Sequence, residues 1–212
     1  MDRALTVILG FVVAGTVLLL GVALVVTIRS ADDEPFEVSF TPIETDFPAV
    51  EHDPAAAADL LDAWAAWRIG TFVTVGTWTR TVDGRPDDPL VGDVSLVQDP
   101  PRRQVVRLGS LVSDIDDQER FENLVVTELG LVGGYVLGED RLYDVARVDE
   151  ACFHAELMAP ALASPWGRWA EYCFDGESGA MVSARVRRQS AIDVEQSIVV
   201  TTEVSAADFA SS

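Results

Sequence analysis

Residues 53–80 read DPAAAADLLDAWAAWRIGTFVTVGTWTR, a helix signal that runs without a break into a strand signal. Asp53 can accept hydrogen bonds from the free N–H groups of a first helical turn, and Pro54 suits that turn because it has no N–H to satisfy. Leu60, Trp64 and Trp67 recur at helical spacing, with Leu61 on the same side. Arg68 falls in the last turn, where its charge complements the helix dipole, and Gly70 ends the helix. Four turns with so heavy an aromatic face need an apolar surface to lie on. The β-rich run 71–80 begins that surface at once. The stretch therefore predicts an α+β domain, a helix packed on a sheet that starts where the helix stops.

Downstream, short strand-like runs are punctuated by turn residues at the spacing of an antiparallel meander. Asp83-Gly84 marks a turn, residues 91–98 resume, and Pro100-Pro101 breaks the chain before 104–108. Runs 135–137, 141–148, 151–157, 169–174, 180–188 and 197–204 complete the series. Residues 114–124 read either as a loop or as a second short helix. Residues 176–179 turn the chain, with Asp175 opposite Ala180 and Phe174 opposite Met181.

Two of these runs can be aligned residue by residue. If 151–157 and 169–174 form an antiparallel hairpin with Cys152 opposite Cys173, Phe153 faces Tyr172, His154 faces Glu171 and Ala155 faces Ala170. Apolar meets apolar, and the basic candidate meets the acid. A slip of one residue breaks every pairing together. The same alternation puts both cysteines, His154 and Glu171 on a polar face, and Phe153, Tyr172 and Phe174 on the other. A Cys152–Cys173 disulfide is therefore expected. Such bridges persist in oxidising compartments, which places this domain outside the cytoplasm.

Toward the N-terminus, residues 4–28 are Ala, Leu, Val, Ile, Phe and Gly apart from three threonines. About 20 helical residues span a hydrocarbon core, so this run is long enough to cross a membrane. A cleaved signal has an apolar core of about 7–15 residues and small residues at its exit. Here the exit is Arg29-Ser30-Ala31, and no cysteine follows that could carry a lipid. An uncleaved signal anchor is expected, with residues 1–3 cytoplasmic and the chain a single-pass protein of the cell membrane. Residues 29–53, acidic and carrying Pro35, Pro42 and Pro48, read as a stalk. In it Phe36, Val38 and Phe40 alternate as a short edge strand would. The domain proper occupies 54–209, with 210–212 a tail.

Thirteen of the 15 arginines and 34 of the 35 acids lie beyond residue 29, and lysine is absent. A surplus of 21 negative charges repels phosphate backbones, so no nucleic-acid partner is expected. The run Asp114-Ile115-Asp116-Asp117-Gln118-Glu119 lacks the glycine and distant glutamate of an EF-hand loop and reads as a solvated acidic loop. No H-x-x-x-H or C-x-x-C spacing supports zinc. Gly176-Glu177-Ser178-Gly179 has neither the spacing nor the following helix of a nucleophile elbow. Arg185 and Arg187 share a strand face and are expected to pair with nearby acids. No cofactor, metal or catalytic constellation is expected, and the chain reads as a non-enzyme.

Taken together, the 60–67 helix, the strand 71–80, Val97-Gln98-Asp99-Pro100-Pro101-Arg102 and Tyr172-Cys173-Phe174-Asp175-Gly176-Glu177-Ser178-Gly179 form an arrangement that resembles the LolA/LppX-like lipoprotein-carrier superfamily. The resemblance covers roughly residues 54–209, and the cysteine pair looks like that of actinobacterial members. It implies a strongly curved antiparallel sheet, an incomplete barrel, with one or two helices on its concave side and a cavity for acyl chains. The residues that would line such a pocket are Leu60, Trp64, Trp67, Phe72, Trp78, Val94, Leu96, Phe153, Tyr172 and Phe174. The same residues would equally make an ordinary filled core. Two functions follow as expectations: a membrane-tethered module binding a lipid or other hydrophobic ligand, or a protein-interaction or sensing subunit of a cell-envelope complex. A domain held by a helix can bind a lipid but cannot readily carry it away.

Overall fold

A computed structural model describes residues 50–158 and 164–210 of this chain. The expected anchor at 4–28 and the stalk as far as residue 49 lie outside the described residues. Helix α1 (Pro54–Ile69) leads into β1 (Phe72–Val82), and β2 (Arg85–Asp99), β3 (Arg103–Leu108) and β4 (Leu111–Ile115) follow as a meander. Helix α2 (Gln118–Val136) then connects to β5 (Tyr143–Asp149), β6 (Cys152–Leu157), β7 (Trp169–Phe174), β8 (Met181–Arg187) and β9 (Ala191–Thr201). All nine strands make one antiparallel sheet in the order β4-β3-β2-β1-β9-β8-β7-β6-β5. β9 returns to pair with β1, so the two meanders share one sheet and its edges are β4 and β5. Helix α2 joins those edges and packs on α1 and β5. The result is an open sheet of incomplete-barrel type with two helices on one face.

The ends of α1 are built as the local residues dictate. The Asp53 carboxylate accepts from the Ala55 N–H at 2.9 Å, Pro54 opens the helix, and the Gly70 N–H closes it on the Ala66 carbonyl at 2.8 Å. Gly70 is extended rather than left-handed, and the chain passes straight into β1. The Asp53 N–H also bonds the Val145 carbonyl at 2.8 Å, and the His52 Nδ1 accepts from the Val145 N–H at 3.2 Å. These bonds pin the start of α1 to the outer edge of β5.

The 6–7 hairpin has the register expected from the sequence: Cys152 opposite Cys173, Phe153 opposite Tyr172, His154 opposite Glu171 and Ala155 opposite Ala170. The Cys152–Cys173 disulfide joins its two strands. In the next turn the Asp175 carboxylate accepts from the Ser178 N–H and hydroxyl at 2.8 and 2.6 Å, and Gly179 takes a positive φ of 73°. Phe174 pairs with Met181, and Asp175 bonds Ala180, as the turn chemistry implied.

Three stretches differ from expectation. Residues 114–124 do hold a second helix, but not a short one: Asp114 and Ile115 end β4, and α2 begins at Gln118 and runs to Val136, capped by Asp117 at 2.7 Å to the Arg120 N–H. Asp114 is exposed but lies in a strand rather than a loop, and it pairs with Arg103 at 2.6 Å. The strand expected at 135–137 is the last turn of α2. Gly130, Gly133 and Gly134 hide that helix from a propensity reading, yet Phe121, Val125, Glu128, Val132 and Val136 keep helical phase and are its buried stripe. Finally, β9 starts six residues earlier than its apolar run, because Asp193 and Glu195 interrupt the run while pointing inward.

A concave aromatic face and its buried polar groups

Residues directly opposite on paired strands share a face, so the registers assign every side chain to one side of the sheet. Phe72, Trp78, Val94, Leu96, Phe153, Tyr172 and Phe174 all fall on the helix-facing side, where Leu60, Trp64 and Trp67 come down from α1. All ten are buried. Trp64 is the hub: its ring centroid lies 5.4 Å from Trp67, 5.5 Å from Trp166, 5.0 Å from Tyr172 and 6.4 Å from Phe174. Phe153 meets Phe174 at 6.2 Å, and Trp166 also meets Tyr135 and Tyr143, at 5.6 and 5.2 Å. Trp166, Tyr143 and Tyr135 were absent from the expected lining. Trp166 sits in a loop and carries no strand or helix period to mark it. Burying each such ring contributes about 1.5–3 kcal/mol.

Polar groups are set into this apolar face, and each tells something the periodicity did not. Gln98, the glutamine of the Gln98-Asp99-Pro100-Pro101 element, donates to the Trp67 and Gly70 carbonyls at 2.6 and 2.7 Å and accepts from Gln104 at 2.6 Å. It thus satisfies carbonyls that the end of α1 leaves without partners. Arg68 lies in the last turn of α1, as the sequence suggested, but turned inward. It is buried, with its Nε 3.1 Å from Glu128 of α2, whose other oxygen accepts from the Trp64 indole at 2.8 Å. Burial pushes the Glu128 carboxyl above its ordinary range against the pull of Arg68 and Trp64. Burial likewise lowers the Arg68 guanidinium.

At the β1–β9 boundary the face is more polar. Asp193 is fully buried and accepts two bonds from Arg80, at 2.5 and 2.7 Å, and one from Arg188 at 3.3 Å. Two positions on, Glu195 is 7% exposed and stands opposite Trp78 on one side and Ala184 on the other. Burial pushes its carboxyl up to about 7, with the Ser197 hydroxyl pulling the other way. The Glu195 Oε2, the Trp78 Nε1 and the Tyr172 hydroxyl are buried without a hydrogen-bond partner among the described residues.

The opposite face of the sheet corrects one expectation. His154 does lie on the side of the cysteines, but that side is not solvated there: the residue is 1% exposed and its ring stacks 5.8 Å from Trp169. Burial holds its imidazole below the usual range, opposed by Glu156 and Glu171. Arg187 pairs with the buried Asp83 at 2.7 and 2.8 Å, and Arg185 lies 3.8 Å from Glu171, so both arginines meet acids as expected. On the same side a hollow of about 620 Å³ is lined by Val75, Gly76, Thr77, Asp93, Arg107 and Ile198, among others. Val94 is the one expected pocket residue that borders it.

No protein-family model matches this chain, and no curated protein matches its sequence. Solved structures similar to it include a chain of the Pseudomonas aeruginosa MucA/MucB complex, at 15% identity and a TM-score of 0.33 over 70% of this chain. The present chain spans only 58% of that one. LprF from Mycobacterium bovis matches at 11% identity and a TM-score of 0.32, over 73% of this chain and 99% of its own. The LolA superfamily protein NE2245 from Nitrosomonas europaea matches at 9% identity and 0.23, over 68% and 91%. At these scores the likeness says nothing about ligand or partner.

Proposed function

We propose that this chain is a membrane-tethered, extracytoplasmic, non-catalytic module that binds a hydrophobic or amphiphilic ligand between its two helices and the concave face of its sheet. The observation that supports this most is the aromatic cluster around Trp64. Trp64, Trp166, Tyr143, Tyr172 and Phe174 converge from α1, a loop and two strands on one interior, where apolar bodies are taken out of water. On this reading the tether is the apolar run 4–28, and the disulfide supports an extracytoplasmic side. Full-length chain extracted gently from membranes and examined by native mass spectrometry should carry a bound amphiphile of defined mass. Protein that is uniformly ligand-free, and stays so when offered lipid extract, overturns the reading. Cysteines found as free thiols in the exported protein would overturn the placement.

One observation favours a protein-interaction role instead. The hollow around Gly76 lies on the face away from the helices and is flanked by the exposed Val75 and Ile198. Crosslinking from position 198 in cells should trap one specific envelope protein under that reading, and only scattered products without it.

A further inference from the structure

Helix α2 packs on α1 and β5 with one side and turns the other to solvent. In the 15 residues 124–138 the only charged side chain is Glu128, and it points inward to Arg68 and Trp64. The residues this stretch exposes include Val126, Thr127, Gly130, Leu131, Gly134 and Leu137. Val126 is 72% exposed and Leu131 52%. On the helix they lie away from the buried stripe of Phe121, Val125, Val132 and Val136. Charge returns only beyond the ends of the stretch, at Glu119, Arg120 and Glu122 before it and at Glu139, Asp140 and Arg141 after it. With 24% of the chain charged, a solvated helix face of about four turns would ordinarily carry several such groups. A contiguous apolar surface of this kind marks a site of contact with protein or membrane.

The same helix ends at the corner where the chain arrives from the apolar run. The Val50 N–H bonds the Glu156 carboxylate at 3.1 Å, two residues before Met158. The Met158 N–H bonds the Leu142 carbonyl at 3.0 Å, and the Leu142 N–H bonds the Tyr135 carbonyl, in the last turn of α2, at 2.9 Å. Met158 is 49% exposed and Leu137 39%, so the surface of this corner is apolar. The 21 residues 29–49 separate Val50 from the run 4–28, a reach of about 70 Å at full extension. We propose that the exposed face of α2 lies on the surface of the bilayer that holds the chain, against lipid whose head groups carry no net charge. The inference rests on the tether of the reading above and is independent of ligand binding. A face without charges gives up its water there with no ion to desolvate. The tether keeps that face at high effective concentration near the lipid, so a weak contact suffices. Anionic lipid would repel Glu119, Glu122, Glu139 and Asp140, which outnumber the two arginines beside them. The exposed Val75 and Ile198 are less suited, because they share their hollow with Asp93 and Arg107.

The test uses the full-length chain in phosphatidylcholine liposomes. The sequence has no cysteine besides the disulfide pair, so Leu131→Cys and, as a control, Ile198→Cys each take one nitroxide spin label. Electron paramagnetic resonance then reads collisions of the label with oxygen, which gathers in lipid, and with a water-soluble nickel complex, which stays out of it. The ratio of oxygen to nickel collisions at position 131 should be several-fold that at 198. Val126→Asp together with Leu137→Asp should bring the ratio at 131 down to the value at 198. Replacing half the lipid by phosphatidylglycerol should lower it as well. Equal ratios at 131 and 198 overturn the inference while the tether stands, and so does a ratio at 131 that survives both acids or rises in phosphatidylglycerol. A label at 131 shielded from both reagents would mean that protein, a partner or a second copy, covers this face, and overturns the inference too. A chain that does not float with the liposomes removes the tether and the inference together. The comparison of 131 with 198 needs neither acid, so it decides the matter even if those substitutions prevent folding.

Discussion

At the scale of single residues, the telling feature is how many ionisable groups this acidic domain hides. Glu195 is the clearest case. Its carboxyl titrates near 7 in the folded chain against about 4.5 for the free side chain, so folding favours the protonated form. The stability this contributes is complete below the unfolded value and is lost as pH rises through 7. At pH 8 the loss approaches about 3 kcal/mol. Glu195→Gln should therefore gain stability over the unaltered domain at pH 8 and match it near pH 4.5, measured by urea denaturation at each pH. A constant difference across that range would show that burial does not control this carboxyl. His154 carries the opposite sign, with its depressed value removing stability as pH falls below the usual imidazole range, and it is common to both proteins in the comparison. Glu128 holds two partners at once. Glu128→Ala would strand Arg68 as an uncompensated buried cation and leave the Trp64 indole unbonded, and should cost about 3–5 kcal/mol. Replacing Arg68 and Glu128 together by Met and Leu should recover most of that loss. If the double substitution is no better than the single one, the pair is not the source of the cost.

Among the elements, two glycines make a paired prediction. A Cβ added at Gly76 would stand 2.0 Å from the Gln196 carbonyl oxygen and 2.5 Å from the Ser197 Oγ. β1 and β9 approach too closely there for any side chain, and this contact joins the two meanders. Gly76→Ala should cost at least about 2 kcal/mol. Gly130, in α2, meets nothing within 4 Å at the same test. Gly130→Ala should add about 0.5–1 kcal/mol, since alanine restricts the unfolded chain and suits a helix. Equilibrium denaturation of the two variants side by side should give shifts of opposite sign. Equal shifts would refute the account of the β1–β9 contact. Helix α2 also shows why an element can be present and yet obscured. Its three glycines lower the intrinsic propensity, and what holds it is packing: Phe121 and Val125 on Ile115, and Glu128 on α1. β9 is obscured in the same way, its first half interrupted by two acids whose inward direction only the pairing with β1 and β8 reveals.

For the molecule as a whole, the disulfide ties β6 to β7 across a separation of 21 residues. Closing a loop of that size should contribute about 3 kcal/mol through the unfolded chain. Replacing Cys152 and Cys173 together by alanine should lower the unfolding free energy by that amount without changing the fold, read from denaturation curves together with a retained far-ultraviolet circular dichroism spectrum. A change of less than about 1 kcal/mol would place the stability of this hairpin in its packing alone. The surplus of negative charge belongs to a domain whose core is well supplied with rings, so most charge meets water at the surface while the aromatic side chains pack inside.

What this sequence determined by itself is whatever is written among near neighbours. The capped start of α1, the Leu60–Trp64–Trp67 stripe, the turn at Asp175–Gly179 and the register that brings Cys152 to Cys173 each depend on periods of two or 3.6 residues and on turn chemistry, and all are found where the residues put them. Tertiary structure decided the fate of the charged side chains. Arg68 meets Glu128 from 60 positions away in sequence, Asp83 meets Arg187 from 104, and Arg80 meets Asp193 from 113. An ion is buried only where a partner arrives to offset its lost hydration, and such partners come from distant strands, so no local pattern can announce them. The concave row of Trp78, Glu195, Ala184 and Tyr172 is of the same kind: four residues from four strands, adjacent only once the sheet has formed.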